Sequence, residues 1–141
     1  MIHQIGIAAI LSGLIAQALK VVIELIRTGR LNLLRILDNG GMPSSHTSLV
    51  TTLTVGVAVY AGVDSSIFSI ALVFSLYFIF EAAGLRQEVG NQARVLNDIV
   101  DGMRATHHLD RSRLKELVGH TWWEVLGGLL LGLVVAYLFF W

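Results

Sequence analysis

Apolar positions gather into four runs, roughly residues 5–26, 47–62, 66–84 and 124–141. Each approaches the ~20 residues that a helix needs to cross ~30 Å of hydrocarbon. The pattern predicts an all-α integral membrane protein with about four transmembrane helices. The second and third runs are short and span only with little tilt or local thinning. The second also opens on Thr47, Ser48, Thr51, Thr52 and Thr54, which makes it the least apolar of the four. The fourth runs uncharged from Val125 to the end, with Trp122 and Trp123 at one side and Trp141 at the other, as interfacial belts require. Residues 87–105 are more polar but periodic. Val89, Ala93, Leu96, Val100 and Met103 recur at spacings of four, three, four and three, which predicts an amphipathic helix on the membrane surface or against the bundle. A loop is expected over 105–110. No repeat or domain boundary interrupts residues 1–141, which read as one membrane-embedded domain.

Composition strengthens this picture. Of the 141 residues, 55% are hydrophobic and 14% charged, against roughly 25% charged in an average soluble domain. Ten basic and ten acidic side chains cancel, which argues against a nucleic-acid partner drawn to a basic surface. The chain has no Cys, so it has no disulfide framework and no thiolate chemistry. The first run is not a cleavable signal peptide, because it lacks a basic leader and carries Lys20 and Glu24.

Charge placement then predicts a topology. Lys20, Arg27, Arg30, Arg35, Arg86, Arg94, Arg104, Arg111, Arg113 and Lys115 all fall near or inside two segments, about 27–46 and 85–121. In a four-span chain these segments share one face, and the positive-inside rule makes that face cytoplasmic. Both termini and the Gly62–Ser65 turn then face outward. A bacterial cell membrane or an organelle membrane is the expected location.

Polar residues cluster at the same ends of the spans. In the first, Gln17, Lys20, Glu24 and Arg27 line one helix face. A Lys20–Glu24 pair with Arg27 reaching the interface is the plain reading. A charge at membrane depth costs at least ~2.5–3.5 kcal/mol, so it usually faces the bundle interior. The second span is preceded by Gly40-Gly41-Met42-Pro43-Ser44-Ser45-His46. Ser44 or Ser45 is a ready N-cap, and the free N–H groups of a helix start suit phosphate. The third span carries Glu81 shortly before Arg86, with a buried pair as its plain reading. The fourth opens on His120-Thr121-Trp122-Trp123-Glu124, in which Thr121 and Glu124 fit a capping box. Glu124 could also orient His120 through one ring nitrogen. Two histidines beside several fixed cations make chemistry for a phosphate ester. The cations neutralise the phosphoryl oxygens, one His attacks and the other serves as acid. His3, His107 and His108 lie outside this constellation.

Gly-Gly-Met-Pro-Ser-Ser-His (40–46), Gly-Leu-Arg (84–86) and Leu-Val-Gly-His-Thr-Trp-Trp-Glu-Val (117–125) resemble the divergent branch of the type 2 phosphatidic acid phosphatase superfamily, which also contains vanadium haloperoxidases. The resemblance covers nearly the whole chain, including Gln17, Lys20 and Asn91 to Asn97. It implies His120 as nucleophile, Glu124 as its orienting carboxylate, His46 as general acid and the Ser44/Ser45 turn as phosphate cradle. Lys20 matches the superfamily's first motif. Arg27 holds the spacing of that motif's Arg, but Thr28 stands where a Pro is expected, so Arg30 competes with it. The Arg six residues before the motif-three His is Leu114 here, and Arg86 is the candidate replacement, with Glu81 in possible support. Typical members have six spans. A homodimer is one way to complete a four-span bundle, and the Gly128/Gly132 pair offers a packing face.

The resemblance thus implies a metal-independent phosphoric monoester hydrolase without cofactor. Its substrate would be a phospholipid phosphate of the cytoplasmic leaflet, phosphatidylglycerophosphate or phosphatidate ahead of polyprenyl diphosphate. An alternative is a catalytically inactive membrane protein that binds anionic lipid headgroups. A third reading, a metal-dependent hydrolase, would draw on His120, Glu124, Glu81, Asp98 and Asp101.

Overall fold

Ser44 begins the helix around which the others are arranged. Its backbone is extended, and its hydroxyl accepts from the Thr47 N–H at 3.3 Å, an N-cap that satisfies one otherwise orphaned donor. The computed structural model describes residues 2–37, 40–83, 85–104 and 121–141. Within them are five α-helices and no strand: α1 (Ile2–Thr28), α2 (Ser45–Ala61), α3 (Ser66–Ala83), α4 (Leu85–Arg104) and α5 (Trp122–Phe140). A short 3-10 segment, Leu33–Leu37, packs back on α1. The chain folds as the apolar runs predict, with each helix boundary within a few residues of the expected one. The expected loop at 105–110 lies outside the described residues.

α2 is packed against α1, α3 and α5. It runs antiparallel to α1, with Ser12 opposite Ser48 and Ile5 opposite Gly56. It is also antiparallel to α3, where Thr54 meets Ser75 at 2.6 Å. Against α5 it runs parallel: Gly128 faces Ser44, Gly132 faces Ser48, and Phe140 faces Gly56. The C-terminal ends of α1 and α3 therefore share one side with the N-terminal ends of α2 and α5. At the opposite side Tyr60 donates to Gln4 Oε1 at 3.4 Å and stacks edge-on against Phe140.

The interior is unusual for a protein of this hydropathy. The largest fully buried side chains are Thr47, Thr52, Ser12, Ser44 and Ser48. Ile67, Ile70, Val73, Phe74, Tyr77 and Phe80 of α3 are each more than half exposed. In water such a surface would be an association site. In lipid it is the natural arrangement, because small residues let helices approach and hydroxyls bond across the contact. The hydroxyls that weaken the second apolar run as a lone span are the contact surface of the central helix. Ser12 and Ser48 meet hydroxyl to hydroxyl at 2.5 Å. The Thr52 hydroxyl reaches the carbonyls of Ser48 and Gly132, both at 3.0 Å. Thr52→Val keeps the shape and deletes the interhelical bond. It should lower stability in detergent by about 0.6–1.7 kcal/mol, read from a denaturant or thermal transition.

Length and composition single out two of the four expected spans, Gln4–Thr28 and Trp122–Phe140. Ser66–Glu81 is a shorter apolar run, and α2 has 17 residues with its hydroxyls turned inward. From Trp122 to Trp141 the rise is roughly 28 Å at 1.5 Å per residue, close to the ~30 Å hydrocarbon core. All three tryptophans are well exposed.

α4 differs from the sequence expectation in its buried face. Gly90, Ala93 and Asn97 are buried, while Val95, Leu96 and Ile99 are at least half exposed. The small and polar side of this helix turns inward, so Ala93 belongs to the packed face and Leu96 does not. Apolar periodicity finds the lipid-facing side of a surface helix as readily as the core-facing side.

Candidate functional site

The starts of α2 and α5 are tied to each other. The Ser44 N–H donates to the Glu124 carbonyl at 2.9 Å. Gly128 makes the approach feasible, since a Cβ there would sit 2.4 Å from the Ser44 carbonyl oxygen and 2.9 Å from Thr47 Cβ. The Gly128/Gly132 pair thus serves contact within the chain, against α2. Two helix N-termini lie side by side at this end, and their positive dipole ends favour an anion.

Of the residues singled out from the sequence, several are placed at this end. Ser44 and Ser45 are buried; Ser44 caps α2 and also accepts from the Thr47 hydroxyl at 3.0 Å. His46 is half-buried in the first turn of α2. Lys20 is 3% exposed. It lies on α1 beyond Gly13, which faces Ser45 at the start of α2. Glu81 is half-buried in the last turn of α3. Arg86 stands in the first turn of α4.

Glu124 is half-buried in the first turn of α5. Its carboxylate Oε2 accepts from the Thr121 N–H at 2.9 Å, and its own N–H donates to the Thr121 hydroxyl at 3.3 Å. The capping box expected from the sequence is formed. His120, bonded to Thr121, lies outside the described residues, as do Leu114, His107 and His108.

The arginines of the first motif lie elsewhere. Arg27 is exposed in the last turn of α1 and Arg30 is exposed beyond it. Arg27 is roughly 10 Å further along the α1 axis than Lys20, at 1.5 Å per residue. The Thr28 hydroxyl, in the position of the expected Pro, donates to the Glu24 carbonyl at 2.8 Å and accepts from the Arg30 N–H at 3.3 Å. It finishes the helix and turns the chain. Among the described residues, no group of three or more His, Asp or Glu side chains comes together to hold a metal ion, and Asp98 and Asp101 are exposed.

One feature was not read from the sequence as a unit. Ile10, Gly13, Leu14 and Gln17 of α1, with Ser45, His46 and Leu49 of α2, line an open groove of about 220 Å³. Gln17 Oε1 is buried there and makes no hydrogen bond among the described residues. An unsatisfied buried acceptor costs about 1–3 kcal/mol. Its sequence signal was faint: Ser12-Gly13 breaks a run of Ile and Leu one turn before Gln17.

Comparison with known proteins gives a consistent picture. The model of a family described as "Divergent PAP2 family" matches residues 2–135. A curated relative in Bacillus subtilis (strain 168), described as uncharacterized membrane protein YuiD, is 40% identical over 139 residues, covering 88% of each chain. No solved structure matches the chain significantly.

Proposed function

We propose a function from the premise that the chain belongs to the Divergent PAP2 family: it is a membrane lipid-phosphate phosphatase that works through a histidine nucleophile. The observation that carries this reading is the bond from the Ser44 N–H to the Glu124 carbonyl. It holds the His46-bearing start of α2 against the helix start that His120 precedes. Buried Lys20, in the half of α1 that leads to this end, adds a fixed positive charge for phosphoryl oxygens.

In the proposed reaction a His120 ring nitrogen attacks phosphorus, and the bond from phosphorus to the lipid oxygen breaks. His46 in its protonated form gives its proton to that oxygen, so the lipid leaves as an alcohol. Water then attacks the phosphohistidine, neutral His46 takes the water's proton, and inorganic phosphate departs. Glu124 accepts from the other ring N–H of His120 and fixes its tautomer. Ser44, Ser45 and the positive end of α2 cradle the phosphate. Arg86 supplies the charge that the third motif lacks at Leu114, with Glu81 holding it; Arg27 and Arg30 attract the anionic headgroup from the rim. No metal enters this reaction. We assign the site to the cytoplasmic side of a four-span chain, since the basic segments lie at this end, and its substrate to phosphatidylglycerophosphate or phosphatidate. A homodimer would complete the bundle through the exposed face of α3.

The test is phosphate release by the purified protein from phosphatidylglycerophosphate, phosphatidate and a polyprenyl diphosphate, with and without chelator. Chelator-resistant release, fastest from one of the first two, is expected. No release by folded protein that still binds anionic vesicles would replace this reading with that of a headgroup-binding protein. Release abolished by chelator would replace it with a metal-dependent hydrolase.

A further inference from the structure

The groove between α1 and α2 has two chemically different ends. Gln17, Ser45 and His46 line the end nearest the start of α2, and Ile10, Gly13, Leu14 and Leu49 line the remainder. Along α1 the order Gln17, Leu14, Gly13, Ile10 leads from the polar end toward the middle of the helix, over roughly 10 Å at 1.5 Å per residue. The groove is open, and its flanking residues Ile10 and Leu14 are each 58% exposed, so it faces the lipid rather than the bundle interior.

We infer that this groove is the lipid subsite: it receives one chain of a lipid phosphomonoester from the side, with the headgroup ending at Gln17 and His46. The occupant must be apolar along the Gly13–Leu49 stretch and carry a hydrogen-bond donor at the other end. The buried Gln17 Oε1, which has no hydrogen-bond partner among the described residues, accepts from that donor, an O–H of the headgroup, once the soft terminal torsion of the side chain turns it into the groove. A water-soluble phosphate ester would satisfy the polar end and leave the rest uncovered. Gly13 sets the depth of the groove. A Cβ at this position would meet Leu49 Cδ1 at 3.4 Å and the Ser45 carbonyl at 3.6 Å. A methyl therefore fits there in ordinary contact, and a larger side chain must occupy the groove itself. The chain-binding role rests on the phosphatase reading only for the identity of the headgroup.

Photolabelling tests the groove without requiring turnover. Full-length protein in phosphatidylcholine vesicles is irradiated with a phosphatidate bearing a diazirine in one acyl chain, and adducts are mapped by mass spectrometry. Adducts are expected on residues 10–17 and 45–49. They should fall at least fivefold with excess dioleoyl phosphatidate and stay unchanged with dioleoyl phosphatidylcholine. Adducts that fall equally with both lipids, or that avoid these segments, would overturn the inference and mark the groove as ordinary lipid-facing surface. Where phosphate release is measurable, Gly13→Leu should lower kcat/KM on dioleoyl relative to dihexanoyl phosphatidate by about tenfold. Leu14→Trp, at an exposed position that folding tolerates more readily, should shift the ratio in the same direction. Selective labelling with no turnover would keep the subsite and remove the enzyme. Turnover with unselective labelling would do the reverse.

Discussion

Gly128→Val is expected to separate α5 from α2 and to abolish activity together with the native fold. The reason is the nature of the atoms that a Cβ would meet. At Gly128 the nearest is the Ser44 carbonyl oxygen at 2.4 Å, with Thr47 Cβ at 2.9 Å and Ser44 Cβ at 3.1 Å. That carbonyl already accepts from the Ser48 N–H at 3.0 Å, and the Ser44 N–H is bonded to Glu124. Backbone held from both sides cannot swing aside as the tip of a long side chain can. Even Gly128→Ala should cost about 1–3 kcal/mol, the range for overpacking a filled interior, and Gly132→Ala should cost a similar amount, because its Cβ would lie 2.7 Å from the Ser48 carbonyl. Gly127 provides the contrast. Its Cβ would meet the flexible Met42 side chain at 3.2 Å, so Gly127→Ala should change stability by less than about 0.5 kcal/mol. Thermal unfolding of the three alanine variants in one detergent reads the ranking. Equal effects at 127 and 128 would contradict the packing described.

The second large effect concerns the two histidines and separates their roles. His120→Ala should remove turnover on every substrate, because no phosphoenzyme forms without the nucleophile. His46→Ala should lower kcat about 10²–10⁴-fold on a lipid phosphate, the usual contribution of a positioned acid. The alkoxide leaving from a lipid needs a proton, whereas a nitrophenolate does not. On an aryl phosphate of low leaving-group pKa, His46→Ala should therefore form the phosphoenzyme at most of the wild-type rate and be slowed only in the later attack of water, while His120→Ala stays inactive. Rapid quench with labelled substrate supplies a second readout. Label bound through an acid-labile, base-stable bond should be trapped in the wild type and be absent in His120→Ala. Equal losses for both variants on both leaving groups would mean that His46 binds substrate and does not serve as acid.

Much of this was legible in one sequence, for reasons that are local. Caps are local, so Ser44 and the Thr121/Glu124 box could be found from spacing alone. Apolar runs are local, so the helices could be drawn to within a few residues. Contacts between helices are not. The Gly128/Gly132 pair announced a packing face without saying that its partner is α2. Ser48, Thr52 and Thr54 of α2 look like weakness in a span until Ser12, Gly132 and Ser75 are seen opposite them. Motif spacing leaves Arg27 and Arg30 in competition, and both are exposed at the end of α1 and just beyond it. In α4 the periodicity predicts the helix but not which side packs, and Ala93 is buried while Leu96 is half exposed.

The central position of α2 also has a consequence for the order in which the molecule is made. A ribosome produces α2 well before α5, and Gly132 is 80 residues downstream of Thr52. Until that last helix arrives, Thr52 lacks its partner on α5, and the Ser44 N–H has no Glu124 carbonyl to bond. Meanwhile the Thr52 hydroxyl keeps the Ser48 carbonyl of its own helix, and Ser48 has Ser12 of α1, so α2 beside α1 already has partners for these hydroxyls in hydrocarbon. A chain stopped between Arg104 and Trp122 would carry α1 to α4 and leave Ser44 and Thr52 without their partners on α5. The end of the bundle where α2 begins is therefore completed only when α5 packs beside it.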